Sequence, residues 1–326
     1  DFGPKLVGCG IWKPVVLSGW DGFVINDIQV IQQNVGKTQA ELQLKVTLDV
    51  DQEADLLINV KVLNDLQDSV FVRRHVVSGR QEISVPFEIE NVKRWWTYQL
   101  GEPFCYRFSV EVKDEHNRSV SKEVTAGIRQ LELVQKKSDG GRSFFFRLNG
   151  VPVFMKGANV VPPDHFVHRI DISQWAGIVA DAKAGNMNML RIWGGGIYPD
   201  DTFFDLCDRA GILIWQDFMF ACAMYPGDDN ILSNVKEEVK QQIKRLRHHP
   251  CIVIWCGNNE ILQGIQDWGW GRDQYRNDYH KLFEVLIPKI IERESPYIPY
   301  IPSSPVYGVG NYGLERGGDA HFWGVW

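Results

Sequence analysis

The feature that most constrains the fold of this chain is a change in its hydrophobic period near residue 140. Before that point, apolar residues alternate with polar ones, as in AELQLKVTLDV from Ala40 to Val50 and again in ADLLINVKV, EISVPFEI and FCYRFSVEV. A period of two is typical of strands with one buried face, and turn residues separate these runs. The pattern predicts an antiparallel, immunoglobulin-like β-sandwich between about residues 23 and 135.

After residue 140, continuous apolar runs alternate with segments of helical period. The runs VPVFM, MNMLRIW, ILIWQDF and IVIWC are strand-like, and Asp171 is a predicted cap of the first helix between them. Strands and helices in alternation indicate a parallel sheet that is covered on both faces. In a (β/α)8 TIM barrel, reactive groups lie at the carboxyl ends of the strands. The strand-like runs here end in charged residues, namely Lys156, Arg191, Asp217 and Glu260.

The second region is too short for a complete barrel. An eight-stranded barrel takes roughly 250 residues, whereas residues 140–326 hold about six predicted strands. The chain also opens on DFGP, without an initiator Met or an apolar leader. We therefore expect a longer protein, in which residues 1–22 are the tail of an N-terminal domain, 23–135 the sandwich and 140–326 the first part of an incomplete TIM barrel.

Composition argues against two classes of partner. The net charge is −6 and basic residues form no cluster, whereas nucleic-acid binding needs grouped Lys and Arg for the phosphates. No apolar run approaches the roughly 18–20 residues of a membrane span. The sequence therefore predicts neither a nucleic-acid partner nor a membrane segment, and it leaves the cellular compartment open.

The sequence also predicts no metal and no cofactor. The six cysteines lack zinc-binding spacing and are interpreted as buried free thiols. The adjacent His248 and His249 would diverge at a helix end, so we interpret them as charges that favour the helix C-terminus. Twelve Trp and ten Tyr are a large aromatic content. Most are expected in the core, and a minority suit a sugar-binding cleft because an indole matches the C–H face of a pyranose.

Several stretches together resemble the β-mannosidases of glycoside hydrolase family 2. The barrel-like ones are FFFRLNGVPVFMKGAN, the run from NMNMLRIWGGG to CAMYPGD, RLRHHPCIVIWCGNNE and GGDAHFWGVW. DFGP resembles the end of the family's N-terminal jelly roll, and NVKRWWTYQLGEPFCYRFSVEV resembles its immunoglobulin-like domain. The resemblance implies a retaining exo-β-mannosidase whose substrate is a β-mannoside oligosaccharide with a terminal mannosyl residue.

The resemblance also implies specific site residues. Retaining glycosidases use two carboxylates, one as acid and then base and the other as nucleophile. The resemblance makes Glu260 the acid/base and makes Asn259 a ligand of the sugar 2-hydroxyl. It places the nucleophile Glu beyond Trp326, so that the chain alone is expected to be inactive. The resemblance further implies that the sugar is bound by Asp1, Trp193, Trp268 and Trp323. It also implies that Arg191 orients the carboxylates.

Without a neighbouring carboxylate, we expect the pKa of Glu260 to lie near that of an ordinary Glu. One departure from the family is visible, because Val160 stands where the resemblance leads us to expect Trp. WGGG lacks the GK[ST] of a phosphate-binding loop and predicts a tight strand-to-helix turn.

Each assignment has a simpler structural alternative. Glu260 could cap the next helix or pair with an Arg, Arg191 could only neutralise Asp217, and Trp193 could only pack. The functional alternatives are another family 2 glycosidase, such as a β-glucosaminidase or β-galactosidase, and a non-catalytic carbohydrate-binding protein. An unclosed barrel also leaves unpaired strand edges, which predicts self-association or reduced stability.

Overall fold

The structure is a computed structural model that describes residue 6 and residues 8–138, 141–306 and 318–321. The first part of the chain forms an antiparallel sandwich of two sheets, with strand orders β1-β2-β5 and β4-β3-β6-β7. Its strands are β1 (Phe23–Val35), β2 (Gln39–Val50), β3 (Ala54–Val62), β4 (Val70–Val76), β5 (Gly79–Glu90), β6 (Tyr106–Asp114) and β7 (Ser119–Ala126).

The core of the sandwich follows the alternation in the sequence. In β2, Leu42, Leu44 and Val46 are buried, whereas Gln43 and Lys45 between them are partly exposed. The inner faces of the two sheets form one apolar cluster. Burying an aliphatic side chain of this size contributes about 1.5–3 kcal/mol, so the cluster accounts for the pairing of the sheets. The predicted antiparallel sandwich is confirmed.

A small sheet connects the sandwich to the rest of the chain. It has the order β12-β11-β8 and a neighbouring two-stranded hairpin. Its side chains pack with the core of the following region and not with that of the sandwich. The exact domain boundaries stay a prediction. The strands are β8 (Leu131–Val134), β9 (Lys137–Ser138), β10 (Gly141–Arg142), β11 (Phe145–Leu148) and β12 (Val151–Val153).

The second region is a parallel sheet with helices, in the strand order β13-β14-β15-β16-β17, and forms part of a barrel. Its strands are β13 (Gly157–Val160), β14 (Met189–Ile192), β15 (Leu213–Asp217), β16 (Ile252–Cys256) and β17 (Tyr300–Ile301). The sixth predicted strand, at HFWGVW, falls mostly outside the described residues.

The helices of this region lie between its strands. None of those in the described part of the chain has both the length and the apolar character of a membrane-spanning segment. They are α1 (Ile172–Ala184), α2 (Asp201–Ala210), α3 (Asp229–Leu246), α4 (Ile261–Asp267), α5 (Asp273–Tyr279) and α6 (Ile287–Glu294), with a 3₁₀ turn at Val167–Arg169 and a π-helical segment, His280–Leu286, joining α5 to α6.

Local sequence signals explain where the helices begin and end. The Asp171 carboxylate accepts the backbone N–H groups of Ser173 and Gln174, and the Gln174 side chain accepts that of Asp171, which completes a capping box. Gly211 follows the last residue of α2 and has a φ of 67°. A Cβ atom at Gly211 would lie 2.4 Å from the backbone nitrogen of Tyr98, so only glycine fits there.

The sandwich and the β/α region are joined by buried polar contacts. The indole N–H of Trp95 donates to the Asp208 carbonyl at 2.9 Å, although Trp95 comes from the sandwich part of the sequence. The guanidinium of Arg129 donates to the carbonyls of Pro250 and Ile252 at 2.7 and 2.5 Å. Burial lowers the pKa of Arg129 to about 10. These long-range contacts hold the sandwich against the amino end of β16.

The adjacent histidines at the end of α3 behave differently from each other. Burial lowers the pKa of His248 to about 3, and its Nε2 accepts the Val30 N–H at 3.1 Å, so the predicted helix-end charge is wrong for His248. Burial on its own would also lower the pKa of His249. The Asp208 carboxylate lies 2.6 Å from His249 Nδ1 and outweighs the effect of burial, so the pKa of His249 is raised. The sequence could not separate the two because their difference comes from long-range partners.

Candidate active site

An open cleft of about 1780 Å³ lies at the carboxyl edge of the parallel sheet. This is the edge at which barrel enzymes carry their reactive groups. Asp1 and Trp323 lie outside the described residues, so their predicted roles stay predictions. The cleft brings together the other five predicted site residues, Arg191, Trp193, Asn259, Glu260 and Trp268.

Glu260 occupies the turn between β16 and α4 in a strained backbone conformation. Its φ is 62°, and the left-handed region is uncommon for a residue other than glycine and costs about 1–3 kcal/mol. Its backbone N–H donates to the Ser304 carbonyl at 2.8 Å. Although Glu260 precedes α4, its side chain makes no capping hydrogen bond, so the simple helix-cap alternative does not hold. The conformation turns the carboxylate towards the cleft.

Each oxygen of the Glu260 carboxylate has one hydrogen-bond partner among the described residues. Oε1 lies 2.6 Å from Nδ1 of His321, and Oε2 accepts the Cys222 thiol at 3.4 Å. Burial raises the pKa of Glu260, but the hydrogen bond and charge of His321 more than offset this effect, so the pKa lies below its ordinary value. The predicted near-ordinary pKa of Glu260 took no account of His321, whose contact shifts that pKa below the ordinary value.

Arg191 connects a buried carboxylate to the amide of Asn259. Its Nη2 donates to Asp217 Oδ2 at 2.7 Å and to Asn259 Oδ1 at 2.9 Å. Asp217 is completely buried and also accepts the Gly194 N–H at 3.0 Å and the Trp215 indole N–H at 2.9 Å. Arg191 therefore neutralises Asp217 and orients Asn259 as well. The Asn259 oxygen is therefore occupied, and its NH2 group donates one N–H to Cys222 Sγ at 3.3 Å. The second N–H of the amide is left to donate towards the cleft.

The glycines after β14 make room for Trp193. A Cβ atom at Gly195 would lie 2.1–2.4 Å from three indole carbons of Trp193, so a side chain cannot fit there. The Gly194 N–H is used by Asp217. WGGG therefore forms the predicted turn and presents Trp193 at the cleft. Trp268, which is 43% exposed, packs edge-on against Trp270 with 5.3 Å between ring centroids.

The structure adds four residues that the sequence analysis did not assign to the site. Asp217 was recognised only as a strand end and a partner of Arg191. Cys222 and His321 follow no periodic pattern, and the only signal for them was their place in the family-like runs QDFMFACAMYPGD and GGDAHFWGVW. The prediction of buried free thiols is wrong for Cys222 and Cys9, which are exposed. Cys105 is half-buried, and the three buried thiols are Cys207, Cys251 and Cys256. The fourth is Ser304, which contacts His321.

Away from the cleft, one group of side chains in the described residues has the spacing of metal ligands. Ligand atoms of Asp205, Asp208 and His249 lie within 4.8 Å of one another. Asp208 already accepts the Cys251 N–H at 3.0 Å and contacts His249 at 2.6 Å. These contacts satisfy the buried Asp208 carboxylate without an ion.

Known proteins with a similar sequence cover this chain from end to end. Residues 23–129 match the family described as Glycosyl hydrolases family 2. β-Mannosidase B of Thermothelomyces thermophilus is 33% identical over 341 residues, which cover 100% of this chain and 39% of the relative. The β-mannosidase of Bos taurus is 33% identical over 349 residues, which cover 99% of this chain and 39% of that protein.

Solved structures show the same relationship. The crystal structure of a β-D-mannosidase from Dictyoglomus thermophilum matches with a TM-score of 0.90 at 36% identity, over 95% of this chain and 38% of that one. An exo-chitosanase of Amycolatopsis orientalis has a TM-score of 0.70 at 17% identity, over 86% and 32% of the two chains, and shares the fold alone. This chain, which spans about 40% of the length of the curated relatives it matches, is a homologue of the β-mannosidases of glycosyl hydrolase family 2.

Proposed function

We propose that this chain is the part of a retaining exo-β-mannosidase that carries the acid/base carboxylate, Glu260. One observation carries the proposal. The Glu260 carboxylate stands in an open cleft at the carboxyl edge of the sheet, beside the Asn259 amide that Arg191 orients. The family relationship supports a β-mannoside as the substrate.

The geometry suits the two steps of the reaction. Glu260 donates a proton to the glycosidic oxygen as the leaving group departs, and it then takes a proton from the water that attacks the glycosyl intermediate. The Asn259 NH2 group donates to the 2-hydroxyl of the sugar, and the Trp193 indole packs on its C–H face. A bound sugar excludes water, and this added desolvation raises the pKa of Glu260 when an acid is needed.

Retention also needs a nucleophilic carboxylate about 5–5.5 Å from the acid/base. Among the described residues, the other carboxylates that line the cleft are Asp164 and Asp319. Asp164 is bound to Arg169 at 2.7 Å, and Asp319 is bound to Ser304 at 2.5 Å. Because both are held by other side chains, we assign the nucleophile to a Glu beyond Trp326, and the chain alone is expected to be inactive.

Assays with p-nitrophenyl β-D-mannoside test this function. We would compare the 326-residue chain with a chimera completed from the homologous Dictyoglomus thermophilum enzyme. The chain should not turn over the substrate, and the chimera should. Glu260→Gln should lower turnover by the chimera about 10²–10⁴-fold, as expected for loss of general acid/base catalysis. Glu237→Gln, at an exposed position of α3, is the matched control and should leave turnover unchanged.

The other outcomes separate the alternatives. Turnover by the chain alone that Glu260→Gln abolishes would place a nucleophile within it, with Asp319 as the first candidate. A chimera that prefers an aryl β-glucosaminide or β-galactoside would indicate another family 2 glycosidase. Mannoside binding without turnover by the chimera would indicate a carbohydrate-binding protein. Self-association through the edge strands β13 and β17 stays a prediction.

A further inference from the structure

His321 lies between Glu260 and a second polar pair, and both of its ring nitrogens have partners. Nδ1 lies 2.6 Å from Glu260 Oε1, and Nε2 lies 3.0 Å from Ser304 Oγ. Ser304 Oγ donates to Asp319 Oδ2 at 2.5 Å, and Asp319 Oδ1 accepts the Val306 N–H at 2.8 Å. The side chains of His321 and Glu260 are 17% and 8% exposed, and both line the open cleft, so the hydration that remains to them comes from the cleft.

The chemistry of the groups fixes the number of protons along this row. The Ser304 hydroxyl has one proton and donates it in a hydrogen bond to Asp319, because an ionised carboxylate can only accept. Ser304 Oγ must then accept from His321, so the His321 Nε2 carries a proton. One proton remains for the contact between Nδ1 and Oε1, since a hydrogen bond of 2.6 Å holds a single hydrogen between the two atoms.

We propose that His321 is a positioning residue that shares this single proton with Glu260 and thereby sets the protonation state of the carboxylate. Transfer breaks the N–H bond at Nδ1 and forms an O–H bond at Oε1. The imidazolium and carboxylate charges cancel, and no other reactant is involved. The use of the proton in glycoside cleavage rests on the proposed function, whereas its location rests on the geometry alone.

The surroundings of the His321–Glu260 pair favour its ionised form in the free cleft and its neutral form in a cleft occupied by a sugar. In the part of the chain that the structure describes, the other groups that act on Glu260 are the Cys222 thiol at Oε2 and the Arg191 guanidinium, which is itself paired with Asp217. In the free cleft, solvent stabilises the ionised pair. A sugar that excludes water removes that hydration and favours the neutral pair, because buried charges are costly. The proton then lies on Glu260 Oε1, and the O–H bond turns from His321 Nδ1 to the glycosidic oxygen as the leaving group departs.

Nuclear magnetic resonance on the 326-residue chain tests the shared proton without any need for activity. With ¹⁵N-labelled His and ¹³C-labelled Glu, the His321 Nε2 should be protonated at neutral pH. His321→Phe removes both the hydrogen bond and the charge, so the Glu260 carboxyl should titrate about 1–3 pH units higher than in the parent chain. His321→Gln keeps a donor and should give a smaller rise. A rise in both variants, larger for Phe, would support the proposal.

His280 provides the matched control, since its Nδ1 lies 2.7 Å from Glu284 at an exposed position. His280→Phe should leave the titration of Glu260 unchanged. Glu260→Gln provides a second test, in which the ¹⁵N resonances of His321 should shift and those of His280 should not. This variant keeps His321 in place, so the proposal stays testable even if His321→Phe fails to fold.

Two results would overturn the proposal: an unchanged Glu260 titration in a folded His321 variant, or a His321 Nε2 without a proton at neutral pH. Its failure is distinct from failure of the proposed function. An inactive chimera with a shared proton would overturn only the glycosidase assignment. An active chimera whose Glu260 titrates independently of His321 would overturn only the shared proton.

Discussion

The sandwich and the β/α region bury different kinds of side chain. The interior of the sandwich is almost entirely aliphatic and aromatic, and its buried polar side chains are scattered. In the β/α region, seven buried polar side chains gather at the carboxyl ends of the strands. This group consists of Gln216, Asp217, Asn258, Asn259, Glu260, Ser303 and Ser304. The sandwich is therefore stabilised mainly by apolar burial. The carboxyl edge of the parallel sheet depends on polar groups that hydrogen-bond one another, except that Gln216 Oε1 has no hydrogen-bond partner among the described residues.

Two buried aspartates offer the largest test of this contrast. The Asp217 side chain is 0% exposed and paired with Arg191, which is 13% exposed. Asp217→Ala leaves the Arg191 charge buried without its partner, so we expect it to cost about 3–5 kcal/mol of unfolding free energy. In the sandwich, Asp114 is equally buried, but its partner Arg118 is 35% exposed. Asp114→Ala should cost less than half as much, because Arg118 can turn into solvent.

Urea denaturation of the two variants measures both costs. Equal losses would show that burial of the carboxylate alone matters and that the exposure of the arginine does not. Asp217→Asn keeps the size of the side chain and part of its hydrogen bonding, so it should fall between the parent chain and Asp217→Ala.

The fold was predictable because it depends on local patterns. Alternation in β2 identifies the buried face directly, since side chains on a strand point to opposite sides in turn. The Asp171 cap and the glycine after α2 are also encoded within a few neighbouring residues. Such features can be read without knowing which segments meet in space.

The site was predictable only in part, because it is built from distant segments. Glu260 and Asn259 stand out as polar residues at the end of an apolar strand, and the family resemblance gave them roles. The contact of Glu260 with His321 joins residues 61 positions apart, and that with Cys222 joins residues 38 apart. No local pattern specifies such pairs. The lowered pKa of Glu260 depends on them, so the sequence could not predict its direction.

The junction between the two regions gives a smaller, pH-dependent effect. Asp27 on β1 accepts from Lys244 and Arg247, each at 2.8 Å. Burial raises the pKa of Asp27, but the charge of Arg247 and the hydrogen bond of Lys244 outweigh it and hold that pKa below the ordinary 3.8. The stabilisation is therefore complete above about pH 4 and is lost as the pH falls through the lower folded value.

We expect Asp27→Asn to cost about 1–2 kcal/mol at pH 7, and the difference from the parent chain to shrink towards pH 3. Urea denaturation at pH 7, 5 and 3 measures this difference. A difference that stays constant over that range would mean that the ionised form of Asp27 adds nothing to the junction. The sandwich and the β/α region would then be held together by other contacts, such as the buried hydrogen bonds of Arg129.

The smallest effect concerns polar contacts that are local. Asp171 caps α1 with its side chain, whereas Asp200, at the same position of α2, makes no such hydrogen bond. Asp171→Ala should lower the midpoint of thermal unfolding by about 1–3 °C, because it leaves backbone N–H groups of an exposed helix end to water. Asp200→Ala, the matched control, should leave the midpoint unchanged. If Asp171→Ala were as damaging as Asp217→Ala, sequence-local and long-range polar contacts would be equally costly to break, and the contrast between them would fail.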